Sequence, residues 1–253
     1  MVVGCSGSVS GPDSAASCYL VQADDGDRTT SVLLDLGSGA FGQLLRYVRP
    51  EDVDAVLLSH LHADHMVDVA ALEVYLRYAP GGPYGRMPLW GPEGTCDRVE
   101  QVSGEPSQAP AFETHSWRPG EPVRIGPLVI EPFQVLHPVL AYALRITGPA
   151  EDGGVPRTLV YTGDTDACAG VTAAAAGAHL LLAEAAFEEG RDEVRGIHLT
   201  GRRAGELATA AAADRLVLTH IPPWTSRETV RAEACTAYDG PVDLAQPGVT
   251  FAI

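Results

Sequence analysis

Apolar residues in this chain come in short runs closed by a polar residue. Ala55-Val56-Leu57-Leu58, set between Asp54 and Ser59, reads as a buried strand. Phe133 to Leu136, Leu159 to Gly163, Leu180 to Leu182 and Leu216 to Thr219 have the same strand-like character. Short strands are predicted to fill residues 1–36, with a Gly/Ser/Pro loop at 6–14 and a turn at Asp24-Asp25-Gly26-Asp27. A different period marks the helices. Gly37-Ser38-Gly39 leads into a predicted helix near 40–48, and Met66 to Tyr78 carries apolar residues at helical spacing. Helices are also predicted near 201–213, with Thr200 as a candidate cap, and near 226–237, each followed by a strand. Residues 80–94 hold four prolines and five glycines and read as a loop with at most a short strand, while 111–147 reads as strand-rich. Elements of the two kinds alternate without a linker or repeat, so the expectation is an α/β protein with a single domain over 1–253. The first strand has about three residues before Gly4, shorter than the usual five or six, which places the expected natural start upstream of Met1.

Chemistry sits at the ends of these runs. His60-Leu61-His62-Ala63-Asp64-His65 puts three histidines and an aspartate at the end of the strand that begins at Ala55. Imidazole nitrogen and carboxylate oxygen are the ligands zinc prefers, and a rigid turn can present several of them together. His137, Asp164 and His220 each follow another strand-like run. One histidine at one strand end is usually structural. Four strands that all end in ligand types imply a shared site at one sheet edge. Seven candidate ligands exceed the four of one tetrahedral ion, so two ions are expected.

With these residues in view, the chain resembles the metallo-β-lactamase fold hydrolases. The HxHxDH signature followed by His137, Asp164 and His220 matches that family's ligand series in order and spacing, over almost the whole chain. The resemblance implies a four-layer αβ/βα metallo-β-lactamase sandwich with the metals at one edge of the two sheets. It implies that one metal takes His60, His62 and His137, that the second takes Asp64, His65 and His220, and that Asp164 bridges them. Two divalent ions are therefore the expected cofactors, zinc first, with manganese or magnesium as alternatives.

Glu184, at the end of the Leu180–Leu182 run, and His198, in His198-Leu199-Thr200, resemble the glutamate and HxT histidine of the tRNA 3′-processing endonucleases and their short, RNase Z-like relatives. The resemblance implies that His198 contacts the scissile phosphate and protonates the leaving oxygen while Glu184 orients it; a carboxylate partner raises an imidazole's basicity and fixes its tautomer. Asp64, as ligand, is also implied to accept a proton from the nucleophile. The bland alternative leaves His198 exposed in a loop before a helix capped by Thr200.

Three longer strings, Gly4 to Ser14, Leu58 to His65 and Leu218 to Glu228, resemble the atypical class II cyclic-nucleotide phosphodiesterases of actinobacteria. That likeness implies hydrolysis of the 3′,5′-phosphodiester of cyclic AMP to 5′-AMP, and a homodimer. Two alternatives stay open: an RNase Z-like tRNA 3′ endonuclease, and a thioesterase or other hydrolase of this fold. Glyoxalase II-type thioesterases share all seven ligands, and only the Glu184–His198 pair argues against them. The common dizinc β-lactamases usually place a cysteine where Asp164 stands. A binding module without activity is disfavoured by the intact ligand set.

Charge and composition narrow the partners. The formal net charge is −16, and all 17 basic residues are arginines; the densest basic cluster is Arg202-Arg203, consistent with a plain helix face. A long nucleic acid is not the expected ligand of such a chain. A small cyclic-nucleotide anion is, because bound metals supply local positive charge. No apolar run is long enough for a membrane span. Five scattered cysteines without a CxxC suit a reducing compartment, so a cytoplasmic location is expected. His115 and His179 read as structural, Tyr75, Tyr78 and Trp90 as core or pocket wall, and Trp224 as pocket wall, subunit contact or packing. The backbone amides of Gly7 and Ser8 are candidates for the site's edge.

Overall fold

Apolar runs unbroken by polar residues form strands covered on both faces, and the computed structural model, which describes residues 1–104, 111–150 and 153–253, builds two sheets from them. In chain order the elements are β1 (Val2–Gly4), β2 (Cys18–Asp24), β3 (Thr29–Leu34), α1 (Ala40–Leu44), β4 (Ala55–Leu57), α2 (Ala63–Met66) and α3 (Val69–Tyr78). Next come β5 (Met87–Gly91), α4 (Thr95–Ser103), β6 (Phe112–Ser116), β7 (Val123–Ile125), β8 (Leu128–Gln134), β9 (Tyr142–Gly148) and β10 (Arg157–Tyr161). The chain closes with α5 (Ala169–Ala175), β11 (Leu180–Glu184), α6 (Gly201–Ala210), β12 (Leu216–Thr219), α7 (Arg227–Cys235) and β13 (Val242–Leu244).

One sheet has the order β1-β2-β3-β4-β5-β6 and the other β13-β12-β11-β10-β9-β8-β7. In the first, β3 through β6 run parallel, with β1 and β2 added antiparallel; in the second, β10 through β13 are parallel and β7 through β10 antiparallel.

The period of two along each strand sorts side chains into three cores. Val32 and Leu34 of β3, with Leu57 of β4, face Ile130, Leu144, Tyr161, Leu182 and Val217 of the opposite sheet. Their neighbours Leu33 and Val56 face the other way, onto Met66, Leu72 and Leu76 of the first helical layer. In the second sheet Val160, Leu181 and Leu218 pack on Val171, Leu207 and Val230 of α5, α6 and α7. The layers are therefore helix, sheet, sheet, helix: the αβ/βα metallo-β-lactamase fold that the ligand series implies. Each fully buried Leu or Val contributes roughly 1.5–3 kcal/mol relative to exposure. Among the described residues no helix is long and apolar enough to cross a membrane.

Two predicted helices are capped by side chains. Thr200 accepts from the Arg203 amide at the start of α6, and Ser226 accepts from the Thr229 amide at the start of α7. Other boundaries differ from the sequence reading. The helix read at 40–48 ends at Leu44, because the Arg46 and Tyr47 amides bond three residues back, to Gln43 and Leu44, and tighten the last turn. Helix α6 ends at Ala210, and Ala212 takes a positive φ of 50°. Helices α4 and α5 escaped the pattern. The first buries only Thr95 and Val99, and the second is almost all Ala and Gly, so neither shows an apolar stripe.

Candidate metal centre

The carboxyl ends of β4, β10, β11 and β12, with the turn after β8, meet at one edge of the sandwich. Ligands in open α/β sheets collect at that edge because successive loops converge there. The turn after β4 delivers His60 and His62 and runs into α2, which carries Asp64 and His65. Gly37 lets the chain after β3 lie against this turn: a Cβ there would sit 1.9 Å from the Asp64 carbonyl oxygen. His220 follows β12 directly and takes the left-handed conformation, φ 53°, which turns its ring back toward the cluster. Gly7 passes close beneath it; a Cβ there would meet the His220 carbonyl at 2.2 Å.

All seven predicted ligands come together, in two groups. In the first, His62 Nδ1 lies 3.1 Å from His60 Nε2 and 3.2 Å from His137 Nε2. In the second, Asp64, His65, Asp164 and His220 converge, with Asp164 3.2 Å from both His65 Nε2 and His220 Nε2 and Asp64 3.5 Å from His65 Nε2. Asp164 also lies 3.7 Å from His60 Nε2, so it stands between the groups. His65 Nε2 and Asp164 Oδ1 are buried without a hydrogen-bond partner although they are only 3.2 Å apart. Two such buried atoms without a bond carry a desolvation cost that a cation between them removes. The donor set of nitrogen and carboxylate oxygen is the set that holds zinc and similar ions.

The outer ring nitrogens are held in place. Ser59 donates its hydroxyl to Asp35 and so accepts from His60 Nδ1, at 3.1 Å, leaving the His60 Nε2 lone pair facing the cluster. His65 Nδ1 donates to Asp35 at 2.7 Å, and His137 Nδ1 donates to the Ile197 carbonyl at 2.9 Å. Ser17 lies 3.0 Å from His220 Nδ1. Such outer partners fix ligand tautomer and orientation. The Ser8 amide points at His220 Nε2 from 3.4 Å, so the N-terminal loop reaches the site edge with Ser8.

Asp35 was not singled out in sequence. It is fully buried and accepts from the Ser59 amide, the Ser59 hydroxyl, the Tyr161 hydroxyl and His65. Its signal was present: it closes the apolar run of β3 as Asp164 closes that of β10. His115 and His179 lie apart from the cluster, His115 stacked on Trp90 at 4.4 Å and His179 accepting from the Thr158 amide. Tyr78, read as core or pocket wall, is 68% exposed, on the outer side of α3 with Arg77 over its ring. Trp224 is exposed on the loop after His220.

Glu184 and His198 form a third group with Asp164. This group is not arranged as a metal site, because the Glu184 oxygens are engaged: Oε1 accepts from the Thr165 amide at 3.0 Å and from His198 Nδ1 at 2.9 Å, and Oε2 accepts from the Ala186 amide. The His198 Nδ1–H is thereby directed at Glu184, its ring 5.5 Å from that of His220 and 5.6 Å from that of His137.

Burial pushes His60, His62 and His220 below the ordinary imidazole value, which keeps their lone pairs free at neutral pH. Burial also opposes charge on His65, but Asp164 and Asp35 override it and hold His65 well above that value. Burial opposes ionisation of Asp164, and His220 and His65 override it in turn. His198 is likewise disfavoured by burial, yet the Glu184 carboxylate raises it to about 9.

The model of the β-lactamase superfamily domain matches residues 30–221. An uncharacterized protein of Mycobacterium leprae is 45% identical over 257 residues, spanning 100% of this chain and 87% of that protein. The probable metallo-hydrolase YhfI of Bacillus subtilis is 32% identical over 256 residues, spanning 99% and 98%. The crystal structure of YhfI superposes with a TM-score of 0.84 at 31% identity, covering 98% of this chain and 95% of that one. A ribonuclease Z of Myxococcus xanthus is 30% identical over 272 residues, spanning 87% of each.

Proposed function

Since this chain belongs to the β-lactamase superfamily and is a metallo-hydrolase of the metallo-β-lactamase fold, we propose that its reaction is phosphodiester hydrolysis, the opening of a 3′,5′-cyclic nucleotide, cyclic AMP to 5′-AMP. The observation that carries this reading is the 2.9 Å bond between His198 and Glu184 beside the ligand groups. An alkoxide leaving group needs a proton; a thiolate leaving group does not. His198, raised to about 9 in the metal-free protein by the Glu184 carboxylate, is biased toward the protonated form that supplies it.

His60, His62 and His137 would hold one divalent ion and Asp64, His65 and His220 the second, with Asp164 shared. When bound, the two ions supply Lewis acidity to the phosphoryl oxygens and lower the pKa of water. The rest falls to the chain. His198 keeps its Nδ1–H on Glu184 and offers Nε2–H to the departing 3′ oxygen. Glu184, held by the Thr165 and Ala186 amides, keeps the imidazolium in place. Asp64, in the second group 3.5 Å from His65 Nε2, would take up the proton that the nucleophile gives. The acidic chain attracts a small anion only where metal charge is concentrated.

A second reading, tRNA 3′ processing, is favoured by the likeness to the Myxococcus xanthus ribonuclease Z. Against it, the basic residues from the last turn of α3 to β6 are engaged locally: Arg77 pairs with Glu73, Arg86 donates to the Phe112 carbonyl, and Arg98 donates to Gln101 Oε1. The net charge of −16 also opposes a polyanion. The test is turnover of cyclic AMP, cyclic GMP, a precursor tRNA and a thioester by purified protein reloaded with zinc, manganese or magnesium. Nucleoside 5′-monophosphate as the product supports the proposal. Cleavage of tRNA or thioester without cyclic-nucleotide turnover overturns it.

A further inference from the structure

Arg202-Arg203 reads in sequence as one basic patch, but the two residues have opposite environments. Arg202 is exposed on α6, while Arg203 is buried and turned inward. Arg203 Nη1 donates to Asp166 and, at 3.0 Å, to the carbonyl of His198; its Nε reaches Thr200 Oγ1 at 3.3 Å. Asp166 is itself 1% exposed. Its Oδ2 accepts from the Gly196 amide at 2.7 Å and its Oδ1 from the Ala167 amide at 2.7 Å. Its backbone amide donates to the Leu136 carbonyl at 2.9 Å.

One residue, Asp166, therefore ties three segments, the first through its backbone amide and the others through its carboxylate. They are the turn with His137, the turn with Asp164, and residues 195–198, which carry His198 and the Ile197 carbonyl that orients His137. We infer that the buried Asp166–Arg203 pair is a clamp that positions His198 against Glu184 and the Ile197 carbonyl against His137. Both are positioning residues, and the catalytic consequence rests on the phosphodiesterase reading above. Net stability is a weak reason for burying an ion pair, since its desolvation offsets much of its attraction. Placement is a stronger one, because the guanidinium fork satisfies three acceptors in fixed directions. A lysine offers one compact ammonium and cannot span all three. Arg195, whose side chain is 64% exposed, also bonds Asp166 but closes the clamp from solvent and adds little.

The test compares Arg203→Lys and Asp166→Asn with the unaltered protein and with Arg202→Ala, a change on the exposed face. Thermal unfolding establishes that each variant folds. In metal-free protein, the NMR signal of the His198 Nδ1–H shared with Glu184 should persist in the unaltered protein and Arg202→Ala, and be lost to solvent exchange in the two clamp variants. Cyclic AMP turnover by the metal-loaded clamp variants should fall about 10–100-fold, as for other outer positioning groups. Turnover of bis-p-nitrophenyl phosphate, whose leaving group departs without a proton, should fall much less. A retained Nδ1–H signal in folded clamp variants overturns the inference. So does collapse of the fold in both, which would assign the pair to stability alone. Failure of the unaltered enzyme to hydrolyse cyclic AMP overturns the phosphodiesterase reading by itself, and the NMR comparison still decides the clamp.

Discussion

Asp35 accepts the Nδ1–H of His65 at 2.7 Å, and the same oxygen also receives the hydroxyls of Ser59 and Tyr161. A residue outside both candidate ligand groups thus sets the direction of two candidate ligand rings, His65 directly and His60 through Ser59. Asp35→Asn keeps the shape but turns an amide NH₂ toward at least one of these donors. Metal affinity, read by chelator competition, should fall roughly 10–100-fold. Unchanged affinity would show that the rings hold their orientation without Asp35.

Metal stoichiometry and proton release are linked. Seven ligands in two groups should take two divalent ions per chain by elemental analysis. His65 stands above imidazole's ordinary 6.5 because Asp164 and Asp35 outweigh its burial, so its Nε2 carries a proton at neutral pH when no metal is bound. Loading must release that proton. Affinity should therefore rise with pH through neutrality and fall as the solution is acidified. Titration calorimetry in buffers of different ionisation enthalpy counts the protons. A single equivalent of metal at full activity, or loading without proton release, contradicts this arrangement.

The same physics explains what the sequence made legible. Strands buried on both faces announce themselves as apolar runs, and a polar residue at such an end stands out; His60, His137, Asp164 and His220 were readable for that reason. Asp35 ends β3 in the same way but lacks a neighbouring histidine in sequence, and its role appears only when α2 brings His65 to it. Arg203 and Arg202 are alike as letters; a rotation of about 100° along a helix sends one inward and leaves the other in solvent. Helices α4 and α5 have too few buried apolar positions to show a period. The last turns of α1 and α6 depend on local bonds that composition does not display.

Close packing around the ligand turn makes Gly37 sensitive. A Cβ there meets the Asp64 carbonyl at 1.9 Å, so Gly37→Ala must displace either β3's exit or the turn carrying Asp64. The expected cost is about 1–3 kcal/mol or more, with reduced metal loading. Gly42→Ala, with open space around an exposed position of α1, should be neutral or stabilising by about 0.5–1 kcal/mol. Equal thermal shifts for the two variants would contradict this difference.

The pH profile should carry the mark of His198. Burial opposes its charge, Glu184 overrides this, and the metal-free value is about 9; two nearby cations pull it back toward the ordinary 6.5. An acid with a raised pKa stays loaded below that value and is lost above it. Cyclic AMP turnover should therefore fall on the alkaline side with a midpoint between these limits. The limb should be absent for bis-p-nitrophenyl phosphate, and its presence there would assign it to another group.

The most direct test of the account is His198→Ala, measured on both substrates with metal content verified. His198 lies outside the seven ligands, so the variant should retain its metals. If His198 protonates the leaving oxygen, kcat for cyclic AMP should fall roughly 10²–10⁴-fold, while most of that loss should vanish with bis-p-nitrophenyl phosphate. An equal loss on both substrates would assign His198 to phosphate binding, and no loss on either would contradict general acid catalysis by this residue.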